Sequence, residues 1–83
     1  MPYIKEEDRI FDEEIEAVAE FMGNEGNLNY AITKLCHAFI KRHGKCYSTL
    51  NTVHGVLNCA DKELYRRVTA AYEDSKIQTN GDV

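Results

Sequence analysis

Between Lys34 and Ala60 the chain has no acidic residue at all. That gap divides 83 residues into segments of different charge. Tryptophan is absent and the single proline is Pro2, so beyond that point no residue lacks the backbone donor that helices and sheets need. Cysteine is sparse and odd in number. Cys36, Cys46 and Cys59 form no CxxC pair, which excludes a self-closing disulfide framework and suits a reducing compartment. No run approaches the ~18 apolar residues of a membrane-spanning helix. Met1 to Asp8 carries acids where a signal peptide has a basic start and an apolar stretch, so a cytoplasmic location is expected. A glycine-rich phosphate loop, a nucleophile elbow and paired catalytic carboxylates are all missing. The expectation is therefore a protein without catalytic residues, cofactor or metal.

What is present is sorted charge. Residues 1–33 hold nine acids and two bases, net −7; residues 34–60 hold four bases, net +4; residues 61–83 are near balance at −1. Such opposition can serve pairing within one chain, between copies, or with a charged ligand. At 43% apolar residues, the composition fits a single small domain with a thin core, for which self-association is a common remedy.

Apolar spacing predicts three helices. Phe11, Ile15, Val18 and Met22 recur at the period of one helical face, with Asp12 placed to cap and Gly23, Asn24 and Gly26 to stop the helix. Tyr3 to Arg9 forms an extra turn before it. Leu28, Ile32, Leu35 and Phe39 repeat the pattern, giving a second helix over Leu28 to His43 with Asn27 as cap and Gly44 after its end. Lys41, Arg42 and His43 suit the negative end of its dipole. From a cap at Ser48 or Thr49, the series Leu50, Val53, Leu57, Ala60, Leu64, Val68 and Ala71 predicts a long third helix. Short links imply antiparallel neighbours, so the expected fold is all-α: a three-helix up-down-up bundle over residues 1–75 and a flexible tail over 76–83. The end of the third helix, around Val68 to Tyr72, overhangs and needs cover from Tyr3, Ile4 and Ile10 or from another copy.

The faces turned from the core carry the candidate sites. On helix one they present Glu13, Glu16 and Glu20, an ExxE-like spacing that lacks the second acidic helix a magnesium site requires. On helix two, Tyr30, Lys34, His37 and Lys41 fall together, a basic and aromatic stripe suited to a nucleotide or other small anion. An ordinary solvated face is the plainer explanation. The net charge of −4 opposes a broad nucleic-acid groove. On helix three, Gly55, Cys59 and Arg66 project away from the core stripe; a mid-helix glycine there fits a close subunit contact, or else a tolerated weak spot. Arg66 and Arg67 could clamp a phosphate or carboxylate, unless they serve salt bridges, with Arg67 to Glu63 the natural one. Cys36, His43, Cys46 and His54 lack the compact pairs of a zinc site, and Cys36 with His37 diverges too far for a nucleophile and its base.

Several stretches together carry a resemblance: Tyr3-Ile4-Lys5, Leu28-Asn29-Tyr30 with Ile32-Thr33, Gly55-Val56-Leu57 with Cys59-Ala60, Tyr65-Arg66-Arg67-Val68, and Tyr72-Glu73-Asp74 running to Asn80-Gly81-Asp82-Val83. In these the chain resembles a family of small uncharacterised proteins, a domain of unknown function met in bacteria, archaea and phages. The resemblance implies no enzyme and no ligand. It adds weight to Gly55 and to the polar groups around Tyr30 and Arg66, and it makes a phage or other mobile-element origin reasonable. The expected function is that of a non-catalytic helical interaction protein that self-associates, with a dimer favoured and no membrane or nucleic-acid partner. Two alternatives stand beside it: a binding module for a small anion such as a nucleotide, and an inhibitor of a host defence system.

Overall fold

A computed structural model describes residues 2–83, and every regular element among them is helical. A 3₁₀ turn, Glu6–Asp8, precedes α1 (Asp12–Ala19), α2 (Glu25–His43), α3 (Tyr47–Leu64), a π-helical turn (Tyr65–Thr69) and α4 (Ala70–Asn80). The last three follow without a break, so helical backbone runs from Tyr47 to Asn80. The expected all-α class holds, and no strand occurs among the described residues.

Local chemistry explains most of the boundaries. The early turn is held by Asp8 N donating to Lys5 O at 2.9 Å and by the Arg9 guanidinium donating to Ile4 O at 3.1 Å. Asp12 does not cap α1. Phe11 holds that position with no side-chain bond, and Asp12 opens the first turn beside Glu13 and Glu14, where carboxylates favour the helix dipole. Helix α1 ends at Ala19, before the glycines expected to stop it, and closes through Met22 N to Ala19 O at 3.0 Å.

Helix α2 starts three residues earlier than the apolar pattern predicts, because the cap is Asn24 and not Asn27. The Asn24 side-chain oxygen accepts from Asn27 N at 2.8 Å, and the Asn27 amide donates back to Phe21 O at 3.4 Å. Gly26 therefore lies inside the first turn and stops nothing. The other end is as expected: Lys41, Arg42 and His43 form the last turn, and Gly44, at φ +100°, donates to Ile40 O at 2.8 Å. Only glycine adopts such a conformation without strain.

Helix α3 begins at Tyr47, with Cys46 O accepting from Leu50 N at 3.0 Å, so Ser48 and Thr49 sit within its first turn and do not cap it. Two further differences concern the C-terminal third. The helix is interrupted by the π-helical turn, which inserts a residue's worth of rotation and breaks the single apolar stripe drawn through Leu64 and Val68. Residues Lys76 to Asn80, expected in a flexible tail, form the end of α4; Gly81, at φ +88°, closes it by donating to Ile77 O at 2.8 Å.

The backbone divides into two units, Tyr3–Val53 and His54–Val83, with Pro2 assigned to the latter. The first contains α1, α2 and the opening turns of α3. It also contains Val53 and Thr49, the buried residues among those described. The second contains the remainder of α3, the π turn and α4, and its most covered side chains, Glu63, Thr69 and Ala70, are half-buried. Apolar side chains expected in the core stay in solvent: Leu35 is 73% exposed and Leu64 60%. This exposure is the main physical feature of the chain.

Candidate functional site

The basic stripe of α2 surrounds a hollow. Lys34, His37 and Lys41 line a concavity of about 640 Å³ together with Ala38, Ile40 and Lys45. Successive turns of one helix bring the first three together, as their spacing of three and four dictates. Lys45 lies four residues beyond Lys41 and just past Gly44, and the sequence reading missed it; its signal was the continued spacing across the end of the helix. Tyr30, 67% exposed one turn earlier, is not part of the lining. Three ammonium groups and an imidazole around one hollow can hold a phosphate or carboxylate by charge and donated hydrogen bonds. All of these side chains except Ile40 are exposed, so salt would screen that attraction.

Arg66 and Arg67 lie in the π turn, inside the other unit. Glu63 engages Arg66, a pair the spacing of three did not suggest: the Arg66 guanidinium donates to the Glu63 carboxylate through two nitrogens, at 3.1 and 2.5 Å. This fork is the strong form of an ion pair, though Arg66 remains 65% exposed. Gly55 and Cys59 are exposed on α3, and a Cβ built on Gly55 would meet nothing within 4 Å.

The sequence reading also missed a groove and a polarised thiol. Within the first unit, α1 and α2 flank a groove of about 370 Å³ lined mainly by Ile15, Val18, Met22, Leu28, Ile32 and Leu35, with Glu14 also in the lining. These are the apolar stripes themselves, read correctly as stripes and assumed covered. At the start of α3, Cys46 Sγ lies 3.3 Å from Thr49 Oγ1. The Thr49 hydroxyl, then the Thr49 and Ser48 backbone N–H groups, hold the Cys46 thiol below its ordinary pKa, against a smaller upward push from burial. The three cysteines are free, and Phe39 stacks on His43 with ring centroids 4.2 Å apart. Among the described residues no group of three or more His, Cys, Asp or Glu could hold a metal ion, and no helix is long and apolar enough to cross a membrane.

A family model described as a domain of unknown function (DUF6899) matches residues 1–83. No curated protein and no solved structure matches.

Proposed function

This chain belongs to the DUF6899 family, whose description names no activity, and we propose that it is a non-catalytic helical interaction protein that self-associates, as a dimer in its simplest form. The observation that carries this reading is the apolar surface left in solvent. Within the first unit Ile15, Leu28 and Leu35 are 55%, 53% and 73% exposed, and within the second Val56, Leu64 and Val68 are 61%, 60% and 59% exposed. In the assembled form the three helical stretches complete the up-down-up bundle that their apolar stripes call for. One contact is the open side of α3 at Gly55 and Cys59, with Arg66 at its rim; the absence of any atom within 4 Å of a Gly55 Cβ leaves room there for a close approach. Native mass spectrometry tests the reading. A defined oligomer that Gly55→Leu disrupts while helical content stays supports it, and a wild-type monomer at all accessible concentrations refutes it.

A second reading is favoured by the hollow on α2. Lys34, His37, Lys41 and Lys45 would hold a small anionic ligand, a nucleotide among the candidates. Binding would raise the melting temperature, weaken with salt, and be lost in Lys34→Glu. A panel of nucleotides and inorganic phosphate that leaves the melting temperature unmoved would remove this reading.

A further inference from the structure

The hollow on α2 takes its shape from one small residue. Ala38 stands four residues after Lys34 and three before Lys41, so two long side chains flank it on the same side of the helix, their backbones roughly 10 Å apart along the axis at ~1.5 Å per residue. Lys45 continues the row past Gly44, and His37 and the half-buried Ile40 complete the lining. The formal charge here is of one sign. No Asp or Glu lines the hollow, none occurs between Lys34 and Ala60, and none of the three lysines makes an ion pair among the described residues. The negative end of the α2 dipole opposes an anion with about half a charge, which three ammonium groups outweigh.

These facts narrow the ligand. A single phosphate group carries about −1.5 to −2 at pH 7, too little to match three lysines set out in a row, whereas a chain of phosphoryl groups is both longer and more highly charged. Magnesium is ordinarily held between phosphates and one or two carboxylates, and this hollow offers it no carboxylate. A magnesium ion on the phosphates would also cancel the charge that the lysines read. From this we infer that the hollow takes a chain of two or more phosphoryl groups, an inorganic polyphosphate or the tail of a nucleotide, as the metal-free anion, so that magnesium competes with the protein for it. The inference rests on the anion-binding reading of this hollow given above, and adds the class of anion and the cation that controls its occupancy.

The test is calorimetric titration of the full chain with inorganic phosphate, AMP, ADP and tripolyphosphate, each with EDTA and with excess magnesium at matched ionic strength. ADP and tripolyphosphate should bind at least about tenfold more tightly than AMP and phosphate, and magnesium should weaken both severalfold. Whichever of the two binds more tightly identifies the source of the chain. Lys41→Glu and Lys45→Glu should each abolish binding with helical content retained by circular dichroism, while the same change in charge at Lys62, outside the hollow, leaves it in place. Phosphate or AMP binding as tightly as the longer anions, or magnesium strengthening the interaction, overturns the inference and leaves the anion-binding reading standing. A loss with Lys62→Glu equal to that with Lys41→Glu overturns both, as does failure of all four anions to bind.

Discussion

Cys46 and Thr49 are joined side chain to side chain at 3.3 Å across the first turn of α3, with the hydroxyl and two backbone N–H groups turned to one sulfur. Held below its ordinary pKa, the Cys46 thiol carries more thiolate at neutral pH than an unperturbed thiol does. At about pH 7 it should alkylate faster than the same thiol in a Thr49→Val variant. Thr49→Val should move the half-maximal pH of that reaction upward, as followed by mass mapping of iodoacetamide adducts. The linkage has a definite sign. The folded value is depressed, so the stabilisation is present above the unfolded value and is lost as pH falls through the folded one.

Asn24→Ala removes the acceptor for Asn27 N. An N-cap asparagine replaced by alanine costs ~1 kcal/mol, and thermal unfolding should show a loss of that size. Asn27→Ala should cost less, since Asn27 contributes only a 3.4 Å bond to Phe21 O from its side chain.

Gly44 and Gly55 should respond in opposite directions. Gly44→Ala forces a Cβ onto a backbone at φ +100° and destabilises by about 1 kcal/mol or more. Gly55→Ala adds a methyl where nothing lies within 4 Å, inside a helix, and should stabilise the monomer by up to ~1 kcal/mol. Chemical denaturation of both variants at low concentration, where assembly does not contribute, checks the pair.

Glu63→Gln weakens the fork to Arg66. With Arg66 65% exposed, the loss should stay below ~1 kcal/mol and shrink in high salt. A larger, salt-independent loss in a denaturation series would mean that Glu63 does more than pair with this arginine.

How much of this was legible beforehand depends on the kind of signal. The apolar repeat of Leu28, Ile32, Leu35 and Phe39 and the glycine after His43 located α2 to its last residue, since periodicity and a left-handed stop are both written in residue type. The start of α2 was not legible in the same way: Asn24 and Asn27 are both competent caps, and only the backbone at Asn24, extended at φ −156°, decides between them. The π turn had no signature in Tyr65 to Thr69, and the pairing of Glu63 with Arg66 three residues on was not anticipated. Residues 76–83 were expected as a tail; Gly81 is in fact the stop of α4. Of the α2 stripe, Lys34, His37 and Lys41 share the hollow as their spacing required, whereas Tyr30 does not reach it. The groove was missed because a periodic apolar face looks the same whether or not anything covers it.

The π-helical turn also bears on how this chain tolerates changes in length. A π turn is one residue more than an α turn accommodates, taken up without looping out. Deleting a single residue between Tyr65 and Thr69 would therefore leave an uninterrupted α-helix from Tyr47 onward, with the side chains of α4 still in their present phase relative to α3, whereas a deletion elsewhere in α3 would turn them by roughly 100°. Helical content would hardly change in either case. The turn is one residue of slack, the place where this helix can lose a residue and keep its faces aligned.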